Sequence, residues 1–171
     1  MPLTDVTIKF LEMTSPGQLR PKRASLAGVT VARVPQPMPE LNRFFYEAVG
    51  ANYLWIDPLS WPLSRWREYL EQANIDTYVL AVERIPAGYF EFDRHENREI
   101  EIKYFGLLDA FIGKGLGAHM LTAAAEAAWA EGAKRVILDT CSLDHPKAFE
   151  NYVARGFRLY RTDLVEKEIP N

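Results

Sequence analysis

The sequence predicts a mixed α/β fold, a mostly antiparallel central sheet flanked by helices, and three observations carry that prediction. Apolar segments Tyr78–Val82 and Tyr89–Phe92 face each other across a Pro/Gly-bearing turn, the pattern of a β-hairpin. A long stretch at helical spacing, through Leu116, Met120, Ala124, Ala127 and Ala128, opens on three glycines at every second position. Strand, helix and strand signals then succeed one another as far as Val165. The chain has 171 residues, 48% of them hydrophobic, which suffices for one domain with a substantial core.

The elements follow in order. Val6, Ile8 and Phe10 alternate with Thr7 and Lys9, and Val29, Val31 and Ala32 form a second extended run. Pro35, Pro37 and Pro39 then stop any strand and make a stiff connector. Leu41, Phe44, Phe45 and Ala48 mark the apolar face of a helix over 40–49; Leu63, Trp66 and Leu70 mark another over 63–73, which sends Trp66 to the core. Tyr53, Trp55 and Trp61 lie between them. In the hairpin, residues 85–88 are the expected turn, and a third strand, Ile100 to Tyr104, becomes continuously apolar at 105–108. The long helix ends at Gly132, and Val136-Ile137-Leu138 is the next strand. Asp144 is placed to cap a helix over 146–155 that Gly156 stops, and 157–165 completes the sheet. No repeat or linker divides the chain, so 1–171 reads as a single domain.

Charge excludes some functions. With 20 Lys+Arg against 23 Asp+Glu the net charge is −3, and no basic footprint for nucleic acid is present. The single cysteine, Cys141, cannot form an intrachain disulfide. Together with the scattered His95, His119 and His145 it offers no metal-ligand spacing, so no metal is expected. The first ten residues lack the apolar core of a signal peptide, and no apolar run reaches 18 residues. A cytoplasmic protein without a membrane partner is the expectation.

The most informative segment is Ile112-Gly113-Lys114-Gly115-Leu116-Gly117-Ala118, between a strand and a helix. Backbone without β-carbons can wrap an anion and aim N–H groups at it, and the helix N-terminus adds partial positive charge; a diphosphate is the natural guest. The same glycines could serve only a tight strand-to-helix turn. Gly113-x-Gly115-x-x-Ala118 also fits a dinucleotide fingerprint, with Asp139 as the ribose acid, which would make the protein a nicotinamide-dependent oxidoreductase. Too little chain follows Gly117, however, to build the repeated βα units that fold requires.

At this loop the sequence resembles the GNAT-type N-acetyltransferases, whose motif is Arg or Gln, two residues, Gly, one residue, then Gly or Ala. Residues 112–117 match except for Ile112 at the first position. The superfamily's last helix commonly reads Asn-x-x-Ala-x-x-Leu-Tyr-x-x-x-Gly-Phe. Here the chain reads His145-x-x-Ala148-x-x-Asn151-Tyr152-x-x-x-Gly156-Phe157, with His145 and Asn151 as departures. The resemblance implies an acetyl-CoA-binding core over 76–171 and an acceptor-side region over 1–75. It implies that acetyl-CoA is the acyl donor, held by Ile112, Gly113, Lys114, Gly115, Leu116, Gly117 and Ala118 with His145 nearby; Lys114 either faces phosphate or is merely solvated.

Transfer of an acetyl group to an amine requires a neutral amine, a stabilised oxyanion and a proton for the departing thiolate. The resemblance implies Glu101 as general base, with Glu99 and Glu91 as competitors, and Tyr152 as proton donor to the thiolate. It also implies oxyanion donors in the backbone near Leu107 and Leu108, on a strand that splays from its neighbour. Trp55 is the candidate to cover the acceptor, a small-molecule or peptide amine. Cys141 with His145 could form a covalent relay, and Ser142, Asp144 and His145 contain triad residue types, but direct attack is simpler. A CoA-binding regulatory module without turnover is the alternative, and a homodimer remains open.

Overall fold

The computed structural model describes residues 3–169. Seven strands, β1 (Leu3–Met13), β2 (Val29–Arg33), β3 (Ile75–Val82), β4 (Ile85–His95), β5 (Glu99–Leu107), β6 (Arg135–Cys141) and β7 (Arg158–Glu168), form one sheet in the order β2-β3-β4-β5-β6-β1-β7. Four helices accompany it: α1 (Pro39–Gly50), α2 (Leu63–Leu70), α3 (Leu116–Ala130) and α4 (Ala148–Ala154). All neighbouring strands are antiparallel except β5 and β6. The first 75 residues supply β1 and β2, which lie far apart in a sheet otherwise built from later residues. No helix among the described residues is long and apolar enough to cross a membrane.

α3 carries the main core. Leu116, Met120, Leu121, Ala124 and Ala128 are fully buried and join Leu11, Leu80, Phe90, Phe92, Val136 and Leu138 of the sheet. Its alanines have no bulk to hold the helix off the strands, and each large apolar side chain withdrawn from water contributes about 1.5–3 kcal/mol.

Three local expectations change. The hairpin turns at Glu83 and Arg84, both with left-handed φ (49° and 70°), rather than over 85–88, which belong to β4. A two-residue turn with positive φ at both positions matches strand twist. Gly88 serves the sheet instead of the turn, since a Cβ there would stand 2.6 Å from Leu107 Cδ2 and its absence lets β5 approach. The buried face of α1 is Asn42, Phe45, Tyr46 and Val49; of the four apolar residues expected there Phe45 is fully buried, whereas Leu41 and Ala48 are only partly buried and Phe44 is half exposed. Asp144 does not cap a helix. Its Oδ2 accepts from the Cys141 N–H (2.8 Å) and the Thr140 hydroxyl (2.7 Å), closing the turn after β6, and α4 begins later without a side-chain cap.

Asn42 explains the altered face of α1. Its amide donates to Thr77 Oγ1 (2.8 Å) and Glu91 Oε2 (3.0 Å), while the Tyr69 hydroxyl donates to Glu91 Oε1 (2.6 Å). This buried network ties α1 and α2 to β3 and β4. Burial pushes Glu91 from its ordinary 4.5 up to about 7, against the opposing hydrogen bonds from Tyr69 and Asn42. A carboxyl whose folded pKa is raised gives its full stabilisation below the unfolded pKa and loses it as pH rises through the folded one. Glu91 is therefore expected to cost stability between about pH 4.5 and 7, up to about 3 kcal/mol. Glu91→Gln removes that dependence because an amide does not titrate in this range, and its N–H can donate to the otherwise unpartnered Asn42 Oδ1 after the Asn42 amide turns. Melting curves of both proteins from pH 5 to 8 check this: the advantage of Glu91→Gln should grow as pH rises, and a constant difference would refute it.

The fold makes its opening between β5 and β6. These parallel strands pair only over Glu99–Glu101 against Arg135–Ile137 and separate beyond them. Tyr104, with φ 49°, sits where the β4–β5 register shifts, so the second half of β5 bends away from β6.

Candidate active site

The diverging strands open a cleft of about 810 Å³. At one end it meets Ile112, Gly113, Gly117 and Ala118 of the loop and helix start; Asn151 and Tyr152 of α4 line it further in, with Leu107, Cys141 and His145. Glu101, near the start of β5, lies toward the other end, and Lys103 and Tyr104 of β5, Asp139 of β6, Lys167 of β7, and Tyr46, Trp55 and Asp57 from the α1–α2 region complete the lining. The strand break thus brings the glycine loop and Glu101 to one cavity.

The loop suits an anion. Gly113 (φ 84°) and Gly115 (φ 75°) adopt left-handed backbone, and a Cβ on either would meet nothing within 4 Å. The space over these glycines is open, as a backbone cradle for phosphate requires. The first N–H groups of α3 have no intrahelical acceptors and add to it. Three loop residues lie outside the cleft wall. Lys114 is not in the cleft wall; its Nζ lies 5.6 Å from the Phe111 ring centroid. Gly115 stands at the helix N-cap outside the wall, and the Leu116 side chain is fully buried in the core, so neither offers the cleft a side chain.

Glu101 lines the cleft, whereas its two competitors do not. Glu91 is buried in the network beneath α1, and Glu99 is paired to Arg135 at 2.6 Å. Asp139, the ribose acid of the dinucleotide reading, lies in the same end of the cleft as Glu101. Its partial burial, then the charges of Glu101 and Asp144, push it up to about 6 against Lys103 and Lys167, although its side chain is open to solvent. Nothing in the sequence links it to Glu101, since the two share the cleft only where β5 and β6 have ceased to pair.

Tyr152 is buried, with its ring against Phe105 (centroids 6.0 Å apart) and a place in the cleft wall. Burial raises its phenol far above the ordinary value, so it stays protonated at neutral pH. Leu107 is in the wall, but Leu108 is not. The Leu108 N–H donates to Ala87 C=O at 2.8 Å, so it cannot serve an oxyanion, and the side chain packs on Phe45, Val49 and Tyr89. Trp55 packs on Tyr46 and Tyr104, with centroids 5.6 and 5.8 Å away, and its Nε1–H points to Asp144 Oδ1 at 3.4 Å.

The nucleophile alternatives weaken. Cys141 faces the cleft, but burial raises its thiol, the opposite of activation. Ser142 Oγ accepts from the Thr7 N–H, and His145 Nδ1 accepts from the Lys147 N–H with its ring edge on Tyr53; the two make no triad with Asp144. His145 does stand in the cleft wall. Residues that sequence reasoning did not assign, Tyr46, Asp57, Lys103, Tyr104 and Lys167, arrive there from four separate stretches of chain.

Residues 38–157 match the family model described as the acetyltransferase (GNAT) family. Among solved structures, the fold is similar to a GCN5-related N-acetyltransferase from Kribbella flavida (22% identity, TM-score 0.68), covering 99% of this chain and 60% of that one. A GCN5-related N-acetyltransferase from Sphaerobacter thermophilus aligns at 14% identity and TM-score 0.72 over 99% of this chain and 52% of that one. An aminoglycoside acetyltransferase from an uncultured soil metagenomic sample aligns at 15% identity and TM-score 0.63, over 75% and 87% of the respective chains. At these identities the likeness is one of fold, and this chain spans about three-fifths or less of the first two structures' length. No curated protein matches the chain.

Proposed function

This chain belongs to the acetyltransferase (GNAT) family, and on that footing we propose that it transfers the acetyl group of acetyl-CoA to a primary amine by direct attack. One observation carries the reading: an open glycine cradle and a carboxylate, Glu101, occupy opposite ends of a single cleft. Ile112, Gly113, Gly117 and Ala118 hold the diphosphate, with Gly115 and Leu116 contributing backbone. Acetyl-CoA supplies the thioester carbonyl. The bent segment Tyr104–Leu107 offers backbone N–H groups toward the carbonyl oxygen. Glu101 takes one ammonium proton, exposing the nitrogen lone pair that bonds to the carbonyl carbon; as the carbon–sulfur bond breaks, the nitrogen releases its second proton to solvent, and Tyr152 gives its phenolic proton to the departing thiolate and regains one from solvent. Trp55, Tyr46 and Tyr104 cover the acceptor's apolar body, and Asp57 and Asp139 favour its positive charge before deprotonation.

Purified protein with acetyl-CoA and a panel of small-molecule and peptide amines, read by free thiol release, tests this directly. Amine-dependent release is expected. A melting-temperature rise with acetyl-CoA and no release with any amine would favour a CoA-binding regulatory module, and a rise with NADH alone would reject the donor assignment. Tyr152→Phe should lower kcat by about 10²-fold with little change in the KM for acetyl-CoA, because the phenol acts as the thiolate leaves. Unchanged kcat, with chemistry limiting the rate, would reduce Tyr152 to packing on Phe105.

A further inference from the structure

We propose that His95 is the positioning residue for Glu101, fixing one carboxylate oxygen from outside the cleft and leaving the other to the acceptor amine. The proposal rests on the acetyl-transfer reading above. His95 Nε2 lies 2.7 Å from Glu101 Oε2. His95 pairs with Glu99 in the β4–β5 register and Asp93 pairs with Glu101, so the contact is a diagonal one across the two strands. Glu101 is in the wall of the cleft and His95 is not; their side chains are 20% and 40% accessible. The carboxylate therefore bridges the reaction space and an imidazole open to solvent behind it.

The surrounding charges leave His95 to Glu101. Asp93, the nearest rival acceptor on β4, takes the Asn74 amide at 2.7 Å and faces Lys103 Nζ at 3.5 Å. Glu99, opposite His95, is held by Arg135 of β6. Asp139 of β6, itself near Lys167 of β7, faces Glu101 from the other side of the cleft. An unrestrained glutamate samples several rotamers, whereas a base must hold one oxygen within hydrogen-bond reach of the amine. The neutral ring with hydrogen on Nε2 and the imidazolium both donate, so the restraint does not depend on charge. One oxygen is then anchored while the lone pairs of its twin accept the ammonium proton.

Kinetics of His95→Ala, His95→Gln, Glu101→Gln and the Ala/Gln double variant test this. His95→Ala should lower kcat about ten-fold, with the KM for acetyl-CoA and the acetyl-CoA melting shift unchanged. His95→Gln, whose amide N–H reaches a similar point, should recover most of the loss. Adding His95→Ala to Glu101→Gln should cost nothing further. Full activity in His95→Ala, no recovery in His95→Gln, or the same ten-fold loss in the Glu101→Gln background would each overturn the proposal. A wild-type protein that acetylates no amine would instead defeat the transfer reading. In that event the ring, read by ¹H–¹⁵N NMR, still decides the contact: an Nε2–H proton shielded from solvent exchange in the wild type and exchanging freely in Glu101→Ala supports it, and equally fast exchange in both refutes it.

Discussion

Glu101→Gln should slow turnover by about 10²- to 10⁴-fold, the range for loss of a positioned general base, and the deficit should be greatest at low pH. An alkylamine with a pKa of about 10 is almost wholly protonated near neutrality and approaches its free form only in alkaline solution, where the base matters less. The amide of Gln still accepts from His95 Nε2–H and is nearly isosteric with the carboxylate, so the change removes proton affinity with little disturbance of the strand. Neither Glu91 nor Glu99 can take over, one being sealed under α1 and the other engaged with Arg135. Asp139 can, because it faces the same space and is already pushed up to about 6. Initial rates from pH 6 to 10 for Glu101→Gln and Asp139→Asn separate the two. A pH profile unchanged by the first and flattened by the second would move the base to β6.

Gly117→Val should weaken acetyl-CoA binding by about two orders of magnitude, roughly 3 kcal/mol, while the unliganded protein melts near the wild-type temperature. Gly117 is helical, without the left-handed φ that would make a side chain at Gly113 or Gly115 strain the backbone. A Cβ at Gly117 would lie 3.7 Å from Asn151 Nδ2 and 4.0 Å from Leu107 Cδ1, ordinary contact distances, so the helix accommodates it. Valine is also a better helix former than glycine. The added methyl groups would occupy the cleft wall where the diphosphate is to meet bare backbone. Isothermal titration with acetyl-CoA and a melting curve without ligand make the comparison, with Gly117→Ala as a milder variant. Equal affinity in all three proteins would mean that the glycines serve the strand-to-helix turn alone.

Much of this molecule was legible because its signals are local. Residues 112–118 and the stretch from His145 to Phe157 each lie within one strand-to-helix or helix-to-strand passage, and their meaning depends on backbone conformation a few residues long. Strand alternation and the apolar period of α3 are equally local. Even so, the α1 periodicity placed Phe45 inside but missed Asn42, which is drawn inward by Glu91 and Thr77, partners 49 and 35 residues away. The hairpin turn was misplaced because Glu83 and Arg84 take left-handed backbone without the Gly or Asn that usually announces it.

The sequence by itself determined the class of sheet and helices, the glycine-rich loop between strand and helix, the position of Tyr152 ahead of Gly156 and a short list of carboxylates. Only the tertiary structure decided which carboxylate meets the cleft, that Asp139 joins it, that Leu108 is spent on Ala87 and that Asp144 closes a turn instead of capping a helix. The reason is physical: local patterns record the preferences of contiguous backbone, whereas a cleft arises where β5 and β6, more than thirty residues apart, stop pairing after Glu101. That register is the joint outcome of the bend at Tyr104, the missing Cβ at Gly88 and the packing of α3, and no one segment of the chain encodes it.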